Sequence, residues 1–257
     1  MIQDFCGADP GRSIALADGL GRFDVIHARG NVPRPAASVI KVATVMALFD
    51  AAEGGNVDLA EQVPLRSLGA TRYCSILKAF DGDRALSLRE IAALSLITSD
   101  NPATVHVLGR LSFADVETVL RDSGCSNAAR ITVGFGELEL GPANRANQMT
   151  ALDALKLFRR LQSEPRYRPI VTFLENNLRN ARIPALLPDD AVIAHKTGSL
   201  DGVVNDVGVV SRAGQAFDVA FLCDRQADPI QTQNDIAACS LALFELLIGP
   251  AVDVPVG

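Results

Sequence analysis

Ser38 and Lys41, in Ala37-Ser38-Val39-Ile40-Lys41-Val42, place a hydroxyl and an amine three residues apart. On a helix that spacing sets them one turn from each other on one face, within hydrogen-bonding reach. A serine beside an amine is a candidate activated nucleophile. Alone, Ser-x-x-Lys reads more economically as a capping serine and a solvated lysine. Two later stretches change the weighing. Ser99-Asp100-Asn101 supplies a second hydroxyl with a side-chain amide, and Lys196-Thr197-Gly198-Ser199 supplies a second amine with a close-approach glycine. A nucleophile with an amine, a hydroxyl with an amide and a lysine-bearing strand are the groups that acyl transfer requires. Taken singly, Ser99-Asp100-Asn101 is an ordinary helix end followed by an N-cap, and Lys196-Thr197-Gly198 a strand end with a turn.

The elements around these stretches must bring them together. Arg12 to Ala17 and Phe23 to Ala28, joined by Asp18-Gly19-Leu20-Gly21, read as a hairpin of two early strands. Pro33 and Pro35 break the chain just before Ser38. Val39 to Ala52 is apolar nearly all round, as in a helix buried inside a domain, and Gly54-Gly55 ends it. Ser38 would stand at the first turn, where free backbone N–H groups and the helix dipole favour a negative oxygen.

Residues 56 to 85 read as loop and short helix, with Gly69 to Cys74 exposed. Ser87-Leu88-Arg89-Glu90 is a capping box opening a helix that stops at Ser99-Asp100-Asn101-Pro102. Further helices are expected over Ala103 to Leu111, Phe113 to Asp122, Ala151 to Leu161 (capped by Thr150 and Asp153) and Arg168 to Arg179. From Ala191 the pattern becomes alternating and β-branched: Val192 to His195, Val203 to Ser211 and Phe217 to Cys223, with a hairpin turn at Arg212-Ala213-Gly214. Ile236 to Leu247 closes the chain as an amphipathic helix. Strands at both ends around a helical middle make this an α+β chain. Its expected form is one antiparallel sheet built from both ends, an α/β domain of residues 1–36 and 185–257, with an inserted helical domain of residues 37–184. The site belongs in the cleft between them.

Composition narrows the partner. The chain has 257 residues, 48% of them hydrophobic, enough for a large core, and no apolar run approaches the roughly 20 residues of a membrane span. A net charge of −6 and a pI near 5.1, with no basic stripe, argue against nucleic acid. A small-molecule substrate is expected, with no membrane partner, and a monomer. Cys6, Cys74, Cys125, Cys223 and Cys239 are odd in number and scattered, and the chain has three histidines. Neither a metal site nor a disulfide framework is indicated, and buried thiols are the expectation. His27, His106 and His195 show no partner pattern and read as packed or strand-surface residues. No basic, apolar export leader precedes Ser38, so the chain as it stands reads as cytoplasmic, or as periplasmic or secreted if a leader is missing.

In this order and spacing, the three stretches resemble those of the class A serine β-lactamases and the penicillin-binding proteins. The likeness extends through Ile97-Thr98-Ser99-Asp100-Asn101-Pro102-Ala103-Thr104 and through His195-Lys196-Thr197-Gly198-Ser199, with Asn205-Asp206 beyond. It implies a cofactor-free serine hydrolase in which Ser38 is acylated and Lys41 accepts or relays its proton. Lys196 nearby would lower the Lys41 pKa. Ser99 would pass the proton to the leaving nitrogen, and Asn101 would hold a substrate amide. Lys196 and Thr197 would hold a carboxylate, beside Gly198. The backbone N–H groups of Ser38 and Ser199 would form the oxyanion pocket. Tyr73 would stack at the rim, an exposed loop tyrosine being the plain alternative.

Two features depart from the pattern. The family deacylates with a glutamate in Glu-x-x-Leu-Asn. Here Gly136-Glu137-Leu138-Glu139-Leu140-Gly141 has glycine in place of the asparagine, and counting back from Thr150 reaches Gly134 instead. Glu137 is the first candidate base and Glu139 the second, with two solvated carboxylates as the alternative. The arginines that help relatives hold the carboxylate have no evident counterpart, Arg225 being the one candidate. An amidase or esterase acting on another substrate, and a slowly deacylating penicillin binder, therefore stand beside the β-lactamase reading.

Overall fold

The computed structural model describes residues 1–19, 24–68, 75–135 and 146–249. Its centre is an antiparallel sheet ordered β2-β1-β9-β8-β7, formed by β1 (Arg12–Asp18), β2 (Ile26–Ala28), β7 (Val192–Leu200), β8 (Val203–Arg212) and β9 (Gln215–Cys223). The first and last parts of the chain thus build one sheet, as expected. β1 pairs with β9 from Arg12↔Cys223 to Asp18↔Phe217, which joins the two ends. The β8–β9 turn lies at Ala213 and Gly214, both at positive φ (50° and 80°), a geometry that lets a two-residue loop follow the strand twist.

Both faces of the sheet are covered, so side chains of opposite parity enter different cores. Ala15, Ala17, Val207, Ala220 and Leu222 face the larger core, shared with the helices of the middle of the chain. Ile14, Leu16, Val219, Phe221 and Cys223 face a smaller core closed by α8 (Pro229–Leu247) and by α1 (Ile2–Cys6), a short helix the pattern had not indicated. Cys6, Cys223 and Cys239 are buried among these apolar residues, and burial pushes the Cys223 and Cys239 thiols up to about 12.

α2 (Lys41–Glu53) runs through the larger core, with every residue from Lys41 to Phe49 buried, as an element apolar all round must be. Around it lie α3 (Leu88–Ile97), α4 (Asn101–Leu108) and α5 (Phe113–Asp122), while α6 (Ala151–Ser163) covers the sheet and α7 (Arg168–Glu175) packs beside β7. The expected capping boxes form at Ser87/Glu90 and Thr150/Asp153. The stretch expected to be loop and short helix over 56–85 also contains a strand, β4 (Gln62–Pro64), which pairs with β5 (Ala85–Ser87) at its end. Two-residue strands β3 (Arg34–Pro35) and β6 (Gln148–Met149) pair as well. These pieces are too short to show a period, so sequence alternation could not reveal them. Among the described residues, no helix is long and apolar enough to cross a membrane.

Candidate active site

The nucleophile segment is held before it becomes helix. Ser38 lies in a 3-10 turn, Ala37–Ile40, that runs directly into α2, and its side chain is half-buried. Asn205, wholly buried on β8, donates from Nδ2 to the Pro35 and Ala36 carbonyls (2.8 and 3.3 Å), while its Oδ1 accepts from Cys223 N. Asn147 accepts at its carbonyl from Ala36 N (2.8 Å). The Asn147 side chain accepts from Thr132 N and Val133 N and donates to the Val133 carbonyl, so one asparagine fixes both the nucleophile segment and residues 132–133. Arg34 anchors the approach, donating to Ser13 Oγ (2.7 Å), Pro10 O and Asp224. Held so firmly, Ala37 adopts φ +48°, a left-handed conformation that costs a residue with a Cβ on the order of 1 kcal/mol or more.

β7 comes against this turn at Gly198. A Cβ there would stand 2.9 Å from Ala36 O, 3.1 Å from Ala37 Cβ and 3.3 Å from Ser38 N, so a larger residue would push the strand off the nucleophile. Two residues earlier on that edge strand, Lys196 is fully buried and donates to its neighbour's carbonyl, Thr197 O, and to Ser99 Oγ, both at 2.9 Å.

The third stretch arrives between α3 and α4. Asp100 caps α4 through Ala103 N and also accepts from Ser75 Oγ and Ile76 N, so the plain N-cap reading holds alongside the functional one. Ser99, just before it, has φ +59°, and this turn aims both its carbonyl and its hydroxyl at the lysines. Lys41 Nζ donates to Ser99 O (2.8 Å) and Asn101 Oδ1 (2.7 Å), with Ser99 Oγ at 3.5 Å. Ser38, Lys41, Ser99, Asn101, Lys196 and Gly198 therefore converge, although they come from three distant parts of the chain.

One local expectation is corrected. Spacing allowed a Ser38–Lys41 hydrogen bond, but among the described residues Lys41 is bonded to Ser99 and Asn101 instead. An amine buried this completely needs strong acceptors, and a carbonyl and an amide oxygen satisfy it better than a hydroxyl that can rotate to bulk water.

The electrostatics divide the two amines. Burial, then the nearby Lys196 and Arg179 charges, hold the Lys41 pKa well below its usual 10.5, against an opposing pull from Asp100. Burial lowers Lys196 as well, to about 7, with Asp206 opposing the fall. A neutral Lys41 has two N–H donors, both committed to Ser99 O and Asn101 Oδ1, and a lone pair left to receive a proton.

Arg182 is the functional candidate that the sequence reading missed. It is buried and donates to the Gly198 carbonyl (3.0 Å), to Asn205 O and, from Nη2, to Ser199 Oγ (2.6 Å). A guanidinium thus stands beside Gly198 and Ser199, on the strand that carries Lys196. Arg225, the candidate expected to help hold the carboxylate, has a 66% exposed side chain and pairs with its neighbour Asp224 at 3.3 Å. Nothing in the Arg182 surroundings, Asn180-Ala181-Arg182-Ile183-Pro184, advertises a buried cation. His195 is packed, as expected, and its Nδ1 pairs with Asp206 at 2.9 Å, a partner the sequence pattern did not show. Thr197 is buried behind Lys196, whereas Tyr73, Glu137 and Glu139 lie outside the described residues. The nearest described residue of that second loop, Phe135, sets its ring centroid 5.0 Å from Lys41 Nζ.

Solved structures share this arrangement of helices and sheet. A β-lactamase from Sphaerobacter thermophilus aligns with a TM-score of 0.82 at 21% identity, covering 94% of each chain. The TLA-3 extended-spectrum β-lactamase aligns at 0.86 and 18%, covering 97% of each. PBP-A aligns at 0.82 and 25%, covering 95% of this chain and 93% of its own, and a PBP-A variant of equal similarity was solved as an acyl-enzyme complex with penicillin G. No curated protein matches the sequence. The model of the β-lactamase enzyme family matches residues 2–247, nearly the whole length, and the chain belongs to that family.

Proposed function

We propose that the protein is a serine hydrolase of the class A β-lactamase type that opens a β-lactam amide through an acyl-Ser38 intermediate. The observation that carries the residue assignment is the bridging position of Ser99 Oγ, 2.9 Å from Lys196 Nζ and 3.5 Å from Lys41 Nζ. Ser38 Oγ attacks the carbonyl carbon while its proton passes to the Lys41 lone pair, directly or through Ser99. The oxygen that becomes anionic is stabilised by the backbone N–H groups of Ser38 and Ser199, brought near each other by the Gly198 contact. When the C–N bond breaks, the nitrogen takes the Ser99 hydroxyl proton, and Ser99 is reprotonated from the Lys41 ammonium. A protonated Lys196 donates to Ser99 Oγ, which turns the serine's own hydrogen toward the reacting atoms.

Lys196, with Arg182 behind Ser199, favours a substrate carrying a carboxylate. The Asn101 oxygen is taken by Lys41, which leaves its NH2 for a substrate amide carbonyl. Deacylation requires water activated by a base, for which Glu137 and then Glu139 are the candidates.

A second reading is favoured by the likeness to PBP-A and by Phe135, whose apolar ring lies against Lys41 near the place reached by counting back from Thr150. In that reading the chain acylates and hydrolyses slowly. Incubation with a chromogenic cephalosporin and a p-nitrophenyl ester, followed by mass spectrometry of the protein, separates the readings. Rapid lactam turnover supports the first, a persistent adduct the second, and ester turnover without lactam turnover a different substrate class. Glu137→Gln should trap the adduct, and unchanged hydrolysis in that variant removes Glu137 as the base.

A further inference from the structure

The site uses Lys196 and Arg182 but leaves unexplained a buried titratable pair directly behind them. His195 and Asp206 are almost fully buried, 1% and 0% exposed, and both belong to the sheet face opposite the one that carries Lys196. His195 Nδ1 lies 2.9 and 3.1 Å from the two Asp206 oxygens, and because a carboxylate can only accept, Nδ1 carries the hydrogen. Its Nε2 lies 3.1 Å from the side-chain amide of Asn180. The place is built for this ring: a Cβ at Gly208, the residue paired with His195 across the strands, would stand 2.7 Å from His195 Cβ.

Three bonds of this cluster fasten the connection from α7 to β7, which carries the arginines. Asn177 Nδ2 donates to the His195 carbonyl (2.9 Å), Asn180 meets the ring, and Ile183 N donates to Asp206 Oδ2 (3.0 Å). Arg182 lies between the last two anchors and is thereby delivered to Ser199 Oγ and the Gly198 carbonyl. Asp206 is also the anion that supports the positive charge of both Lys196 and Arg182. The charged groups around the pair are therefore Lys196 on β7 and Arg179 and Arg182 on the connection. Glu175 of α7 lines the small pocket that reaches His195 from the other side.

We propose that His195, clasped to Asp206 and Asn180, is a positioning residue for the substrate carboxylate: it pins the 177–183 connection so that Arg182 stands at Ser199, and it keeps Asp206 directed beneath Lys196. The proposal rests on the reading above that the site takes an anionic substrate. It assigns His195 an effect on binding a negative charge, with no part in the bond-making step, since its ring touches neither Ser38 nor Ser99.

The test compares benzylpenicillin with its uncharged methyl ester, following acylation by mass spectrometry across substrate concentration. In the wild type the free acid should half-saturate at much lower concentration than the ester. His195→Leu should raise that concentration for the acid about 10-fold or more, leave the limiting acylation rate nearly unchanged, and leave the ester unaffected. His195→Asn, which keeps a donor where Nδ1 stands, should recover most of the loss. Asn180→Ala, at an exposed position, should shift the acid in the same direction by less, and serves if His195→Leu does not fold. A wild type that treats acid and ester alike overturns the anionic-substrate reading and this inference with it. A wild type that discriminates, with His195→Leu and Asn180→Ala discriminating equally well, or losing acid and ester in parallel, overturns the role of His195 alone.

Discussion

Lys41, on the helical wall of the site, and Lys196, on the strand wall, are both buried completely, yet their surroundings differ. Lys41 meets neutral acceptors, the Ser99 carbonyl and the Asn101 amide, and faces the Lys196 and Arg179 charges as well as the Asp100 carboxylate. Lys196 has Asp206 to offset its burial and retains its proton to about pH 7. Burial lowers both, a carboxylate opposes it at each (Asp100 for Lys41, Asp206 for Lys196), and the Lys196 charge lowers Lys41 further, which suits Lys41 to the base and Lys196 to the anion anchor of the proposed mechanism. The bridging Ser99 hydroxyl links the two.

The contrast can be broken from either side, with Ser38 as the reference. Ser38→Ala should abolish adduct and turnover, a loss on the order of 10^4-fold or greater, read by mass spectrometry and spectrophotometry. Lys41→Met should slow acylation by about 10^2- to 10^4-fold while leaving the half-saturating concentration of carboxylate substrate nearly constant. Lys196→Met should do the converse, raising that concentration by about 10- to 100-fold for a carboxylate substrate and little for its ester.

A smaller effect lies in the pH dependence. For a carboxylate substrate, kcat/KM should fall as pH rises through about 7, when Lys196 releases its proton. The same group affects stability. Its folded value lies below the usual 10.5, so between about 7 and 10.5 the unfolded chain binds a proton that the native site has lost, and the Lys196 contribution to stability rises with pH across that window. Below pH 7 the native state bears the full burial cost, and Lys196→Met should there stabilise the protein by about 1–3 kcal/mol in thermal or urea unfolding. Least of all, Ala37→Gly should relieve the left-handed backbone before Ser38 and add up to about 1 kcal/mol, unless the added freedom in the unfolded chain offsets it.

The two walls also differ in how far they could be read from the sequence. Ser38, Lys41, Ser99, Asn101 and Lys196 were legible because each belongs to a short run whose residue types and order carry the chemistry. The sheet was legible from alternation in β8 and β9, although burial on both faces puts Val and Phe on one side of β9 and Ala and Leu on the other. Arg182 was not legible. Its function follows from a side chain that crosses to the Gly198 and Asn205 carbonyls, and no local pattern encodes a contact of that range. Asn205 was noted with Asp206 in the family likeness, but its hold on the Pro35 and Ala36 carbonyls, like the role of Asn147, was hidden for the same reason, since a buried amide that satisfies distant backbone groups looks in sequence like any polar residue. His195 appeared partnerless because Asp206 approaches it across the strand pair.

The division of labour between the amines is tested most directly by titrating them in place. With 13C-labelled lysine, and the two signals assigned through Lys41→Met and Lys196→Met, NMR should show Lys196 changing near pH 7 and Lys41 titrating well below the ordinary lysine value of 10.5. A Lys41 signal that titrates near the ordinary lysine value would contradict the assignment of Lys41 as the proton acceptor for Ser38.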